Sequence, residues 1–240
     1  MTEQDLRVKF REELADIRQR IARLGAGVTE LVPRATEILL DSDLEGAEYI
    51  ILGDVEYDRK SLEIEELCFS EIALQAPVAA DLRELVSAIK IIADIERSAD
   101  LCVNICKAAR RIYSHELDSH LRGIIHKCGD QAARLFKEAT EAYLTSDGVR
   151  AAALNDMDAY LDDLHRQFIQ VIFESHAAGN IDLQVAVQLA VVARFYERIG
   201  DHAVNVGMRT RYIVDGWLPE QPYPESDAVL APDGSDAGQT

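Results

Sequence analysis

Apolar residues recur every three or four positions along most of the chain, and no alternating pattern of the kind a half-buried strand needs persists. Leu14, Ile17, Ile21, Leu24, Val28 and Leu31 form one such series; Leu121, Ile124, Ile125, Cys128, Ala132 and Leu135 form another. This spacing gathers apolar side chains on one face of a helix. Divided at its few breakers, the sequence predicts helices over 3–41, 44–75, 79–113, 119–145, 148–178 and 181–215. Asp147 reads as an N-cap, Gly179 as a C-terminal stop, and Pro33, with Gly25 and Gly27 nearby, predicts a kink in the first helix. Helices of about 30–40 residues are about 45–60 Å long at 1.5 Å per residue, so the predicted fold is all-α, an elongated antiparallel bundle.

The pattern repeats. Ala35-Thr-Glu-Ile-Leu-Leu-Asp-Ser-Asp43 corresponds to Ala139-Thr-Glu-Ala-Tyr-Leu-Thr-Ser-Asp147 at an offset of 104, which also carries Asp54 to Asp158 and Asp58 to Asp162. After a turn three residues shorter, an offset of 101 carries Asp81 to Asp182, Glu96-Arg97 to Glu197-Arg198, Asp100 to Asp201 and Asn104 to Asn205. Two registers joined by one deletion in a turn indicate two pseudo-symmetric three-helix units, 1–115 and 116–215, followed by a tail over 216–240. The tail holds four of the six prolines, five acids and no Lys or Arg, and is expected to be a flexible acidic extension without a core of its own.

Charge narrows the function. With 25 basic and 43 acidic residues the chain has a net charge of −18, which opposes binding to nucleic acid and favours cations or basic protein faces as partners. The longest uncharged stretch, 183–193, is too short to cross a bilayer, and MTEQDLRVKF lacks an apolar signal core, so a cytoplasmic protein is expected. Cys68, Cys102, Cys106 and Cys128 have no paired CxxC spacing and are expected to be reduced and buried.

The residues that recur best are polar, whereas a purely structural repeat would keep its apolar positions. Glu96, Asp100 and Asn104, and likewise Glu197, Asp201 and Asn205, are spaced i, i+4, i+8, so each set lines one helix face. Asp54 and Asp58 stand about as far before the second turn as Glu96 and Asp100 stand after it, so antiparallel packing brings the four acids to one height; Asp158 and Asp162 do the same opposite Glu197 and Asp201. Like charges held this close cost stability unless a cation neutralises them, and oxygen-rich sets suit Mg, Ca, Mn or iron. These eight acids are therefore candidate metal ligands, with Asn104, Asn205 and His165 in supporting positions.

Ile91-Ile-Ala-Asp-Ile-Glu-Arg-Ser-Ala-Asp100 and Val191-Val-Ala-Arg-Phe-Tyr-Glu-Arg-Ile-Gly-Asp201 resemble the paired E(D)xxxD motifs of the PhoU family, bacterial regulators of phosphate uptake. Pro77-Val-Ala-Ala-Asp-Leu-Arg83 resembles the segment that precedes the first motif, and the likeness runs over about 5–215. The first copy has Ser98-Ala99 where Ile-Gly is usual. The resemblance implies two three-helix bundles and metal held by the acids, iron first, with Mn, Zn or Mg as alternatives. It also implies a non-catalytic negative regulator of phosphate-starvation signalling. Such a regulator would link a phosphate ABC transporter ATPase subunit to a sensor histidine kinase, reaching the membrane only through these partners. A homodimer is expected because long helices with two apolar stripes leave one for a second subunit.

Other readings stay open at this point. A di-metal carboxylate-bundle enzyme, an oxidase or a phosphatase, would use the same acids. Di-iron bundle oxidases, however, need two Glu-x-x-His pairs, and only Asp162-Asp-Leu-His165 approaches one. A purely structural dimerisation module is the third reading. Cys102 and Cys106 point away from the acid stripe and read as core, as do Val185, Leu189, Val192 and Tyr196; His202 projects away from Asp201 and reads as no ligand. Gly200 reads as a point of close helix approach, and Glu37 and Glu141 as solvent-facing.

Overall fold

In a computed structural model, which describes residues 3–216, the chain forms α1 (Glu3–Asp41), α2 (Leu44–Gln75), α3 (Ala79–Arg111), α4 (Ser119–Thr145), α5 (Gly148–Ala177) and α6 (Leu183–Asp215). No strand occurs among the described residues, and the acidic tail expected over 216–240 lies outside them except for Gly216. The predicted ends hold to within two residues. α3 stops at Arg111, two residues early, because Ile112 leaves the helical region at φ −103°. α6 starts at Leu183 because Asp182 caps it, its carboxylate accepting from the Val185 amide at 2.8 Å. Asp43, Asp118 and Asp147 cap α2, α4 and α5 in the same way, and Gly179 ends α5 at φ +77°. α1 runs without a break through Pro33.

Helices α1–α3 pack together, as do α4–α6, and the two triples meet through α1 on α4 and α3 on α6. A single cluster of buried residues runs from Phe10 to Val206, so the repeat builds one core. The internal two-fold is visible at the α1–α4 crossing. A Cβ on Gly25 would fall under 3.0 Å from the Thr140 hydroxyl, and a Cβ on Gly129 would fall equally close to that of Thr36. Residues 25 and 129, and 36 and 140, are repeat partners, so the same close approach is built twice. Thr36 also meets Tyr196 of α6, oxygen to oxygen at 2.8 Å, which satisfies the one polar atom of that fully buried ring.

Cys68, Cys102, Cys106 and Cys128 are buried free thiols. Burial pushes the Cys106 and Cys128 thiols up to about 12, so they stay protonated and serve as small apolar packing groups. Val185, Leu189, Val192 and Tyr196 are buried as expected. No described helix is long and apolar enough to cross a membrane.

Candidate metal centre

Asp54 and Asp58, one turn apart on α2, face Asp100 on α3, and one carboxylate oxygen from each lies within 4.8 Å of the others. A metal bonded to oxygen at about 2.0–2.6 Å fits between such oxygens with small side-chain adjustments. Burial raises the Asp54 pKa above its ordinary value, helped by the charges of Asp100 and Asp58 and opposed by Lys107. Asp100 is raised in the same way, by burial and then by Asp58. Glu96 belongs to the group, its pKa raised by burial and then by Asp100 and Asp58. Of the four acids predicted to meet, Asp54, Asp58 and Asp100 bring oxygens within mutual reach and Glu96 lies near enough to feel their charges, and three hard oxygen donors so placed suit a hard or borderline cation.

In the second half Asp158 lies close to Asp162 and Asp201, and burial followed by those two charges pushes its pKa up to about 6. The α5–α6 approach that makes this possible depends on Gly200. A Cβ there would fall 2.5 Å from Asp158 Oδ1 and 2.6 Å from Leu161 Cδ2. The remaining acid is differently placed. Arg194 is ion-paired with Glu197 and reaches to 3.9 Å from Asp201, so the chain supplies its own cation here. No second group of three acids with oxygens in mutual reach occurs among the described residues.

The supporting residues divide. His165 is half-buried beside Arg194 and Asp162, and burial together with Arg194 lowers its pKa, which keeps the ring neutral and able to donate a lone pair. Asn104 is half-buried on α3. Asn205 donates to Asp94 at 3.2 Å, across the α3–α6 crossing and away from the α5 acids. Asp94 also meets His202 Nδ1 at 2.8 Å, so His202 is a buried partner of Asp94 and no part of the acid cluster. Glu37 is exposed and paired with Arg34, and Glu141 with Arg150.

Two features escaped the sequence reading. Arg194 occupies the place of Ala93 in the repeat, and that one mismatch signals the neutralised second cluster. The Asp94–His202 bond has no counterpart, because the repeat puts Phe195 and Leu101 at the equivalent positions.

Fold and acids together define a duplicated three-helix protein with carboxylate clusters at the α2–α3 and α5–α6 contacts. The PhoU domain family matches residues 21–109 and 125–210. The phosphate-specific transport system accessory protein PhoU homolog 2 of Mycobacterium tuberculosis is 35% identical over 215 residues, covering 89% of this chain and 100% of that protein. PhoU homolog 1 of Mycobacterium leprae is 34% identical over 216 residues, 90% of this chain and 96% of that protein. The chain therefore belongs to the PhoU family. Its fold is that of the PhoU crystal structure from Pseudomonas aeruginosa, with a TM-score of 0.81 at 24% identity over 87% of this chain and 100% of that one. The phosphate transport system regulatory protein PhoU from Streptococcus pneumoniae superposes with a TM-score of 0.80 at 24% identity, over 87% and 98% of the two chains.

Proposed function

We propose that this protein is an accessory regulator of phosphate transport that restrains the phosphate-starvation response as a metal-dependent, non-catalytic adaptor. Its partners are the ATPase subunit of a phosphate ABC transporter and a sensor histidine kinase, met in the cytoplasm. The family supports the regulatory role, since relatives carry the name of phosphate-specific transport system accessory proteins. The observation that carries the metal-dependent part is the Asp54–Asp58–Asp100 triangle, three carboxylates in mutual reach with Glu96 beside them. Such a cluster is costly when empty of cations, and a cation that fills it draws α2 and α3 together. A metal in this role supplies positive charge and fixed geometry. The side chains hold it: Asp54 and Asp58 from α2, and Glu96 and Asp100 from α3. Iron, Mn, Zn and Mg all accept such donors. Self-association into a dimer is supported by the apolar side chains that α2 leaves exposed, among them Tyr49, Leu52 and Val55.

Elemental analysis of the purified protein, with and without Asp54→Asn and Asp100→Asn, tests the metal. Binding of the same proteins to the ATPase subunit and to the kinase, before and after chelation, tests the switch. Metal lost in the variants together with weakened partner binding is the expected result. Equal partner affinity in all forms would remove the acids from the mechanism.

A further inference from the structure

A pocket of about 690 Å³ opens between α1 and the first turns of α2. Leu31 and Ile50 line its floor, and the Tyr49 ring, 81% exposed, lines its rim. Two carboxylates line it as well, Glu30 from α1 and Glu45 from α2, and neither has an ion pair among the described residues. Arg34, the base in the lining, is already taken by Asp43 at 2.6 Å and by Glu37 at 3.5 Å. The pocket therefore joins uncovered apolar surface to unmatched negative charge.

The fold does not require this pocket, because side chains occupy its place in the other half. Two glycines leave it open. Gly27 corresponds to Gln131, which is buried and donates from Nε2 to the Met157 carbonyl of α5 at 2.8 Å. Gly46 corresponds to Arg150, which reaches from α5 to Glu138 and Glu141 of α4. Leu135 and Leu154, the counterparts of Leu31 and Ile50, are fully buried, whereas Leu31 is half-buried. The charge differs with the space: Arg134 stands for Glu30, Val149 for Glu45 and Ala153 for Tyr49. Missing filler, two acids and an exposed ring thus coincide at one place in the first half.

This combination selects a ligand by its chemistry. Two carboxylates beside an apolar floor favour a cation carried on an apolar stem, as in a basic side chain. An exposed tyrosine ring adds a face for a guanidinium, which stacks on aromatic rings and is more weakly hydrated than an ammonium. A volume of about 690 Å³ exceeds a single side chain and suits a short stretch of polypeptide. The two acids disfavour an anion, and a net charge of −18 draws basic segments toward the surface.

We propose that this pocket binds an arginine-bearing segment of a partner protein. The guanidinium meets Glu30 and Glu45 and lies against the Tyr49 ring, and an adjoining apolar side chain of the segment covers Leu31 and Ile50. The contact is electrostatic at its rim and weakens as salt is added. It uses none of the carboxylates of the metal cluster, so it stands apart from the metal-dependent switch.

Fluorescence anisotropy of a dye-labelled peptide of alternating arginine and leucine, titrated with the full chain in chelating buffer, tests this. Saturable binding is expected. It should weaken about fivefold in Glu30→Gln and in Glu45→Gln, as for the loss of one surface ion pair, and about tenfold in Gly27→Gln, which installs the filler of the other half. A Cβ at Gly27 would stand 3.4 Å from the Tyr57 ring, an ordinary contact, and glutamine is a better helix former than glycine, so the variant folds. Glu66→Gln makes the same charge change at an exposed site of α2 outside the pocket and should leave the affinity unchanged. The same peptide with citrulline for arginine, alike in shape but uncharged, should not saturate. Absence of saturable binding, an equal loss in Glu66→Gln, or undiminished binding in Gly27→Gln would each overturn the proposal. A smaller sedimentation coefficient for Gly27→Gln than for the parent would overturn it too, since a second copy of the chain would then be what fills the pocket.

Discussion

The two halves carry the same acids at the same register, yet they face different surroundings. In the first, Asp54, Asp58 and Asp100 crowd together with Glu96, and the cation acting on Asp54 and Asp100 is Lys107, whose effect is weaker than that of burial. In the second, Arg194 closes on Glu197 and approaches Asp201. The halves differ again between their outer helices, where buried Leu164 and Phe168 stand in place of the exposed Lys60 and the smaller Ile64 that line a groove of about 410 Å³ between α1 and α2. Duplication has preserved where carboxylates stand. Single side chains around them decide whether that charge awaits an external cation or is met from within, and whether a helix pair is sealed or grooved.

The packing difference is open to the largest perturbation. Phe168 is fully buried, so Phe168→Ala should lose about 3–5 kcal/mol of stability, measured by urea unfolding. Its repeat partner Ile64 is also buried but is smaller and borders the open groove between α1 and α2, so Ile64→Ala should lose less, about 2 kcal/mol. Equal losses would show that the two helix pairs are packed alike and end this part of the comparison.

The acid clusters differ in a way that metal addition can reveal. Mn²⁺ at about a hundred times its dissociation constant should stabilise the protein by about 2.7 kcal/mol, a rise in Tm of several degrees. Asp100→Asn should abolish most of that rise, and Asp201→Asn should leave most of it in place. If the second substitution matters as much as the first, the Arg194 contact does not separate the two sites.

A third perturbation uses pH, on chelated protein. Burial with Asp162 and Asp201 raises the folded-state pKa of Asp158 to about 6, above its ordinary value of 3.8. The folded state then holds a proton that the unfolded state has released, so stability contributed by this group falls as pH rises from about 4 through about 6. Asp158→Asn removes the titration. The variant should match the parent at pH 4 and exceed it at pH 8 by about 1 kcal/mol, after allowance for the screening of a half-exposed group. A variant less stable than the parent at pH 8 would show that the charged carboxylate is welcome where it stands.

The helices and the acids were legible because both leave periodic marks. Six long helices repeat their apolar faces many times over, so end errors of one or two residues are all that remained, set by caps such as Asp182 and by the exit of Ile112. The acids were legible twice, as i, i+4 pairs and as copies at fixed offsets. Contacts across the crossings left no such mark. Asp94 and His202 are 108 residues apart and their repeat partners are apolar, so neither spacing nor offset links them. Gly25 and Thr140 recur as Gly129 and Thr36, but only packing shows that each glycine makes room for the other helix's threonine. Asn205 shares the acid stripe by spacing, yet its amide turns to Asp94, because rotamers answer to the neighbouring helix.

The smallest change in stability should come from the residue that most directly separates the halves. Arg194 is half-exposed although its partner Glu197 is largely buried, so Arg194→Ala should cost about 1 kcal/mol in chelated protein, the upper end for a solvent-screened pair. Its consequence for binding should be larger than its consequence for folding. With the guanidinium gone, Asp158, Asp162, Glu197 and Asp201 stand as their first-half counterparts do, opposite an alanine like Ala93. His165 also loses one of the charges that lower its pKa. Elemental analysis should then find an added equivalent of metal per chain relative to the parent, removed again by Asp201→Asn. Unchanged metal content would mean that the second half lacks donor geometry as well as free charge, and that Arg194 fills a place no cation would take.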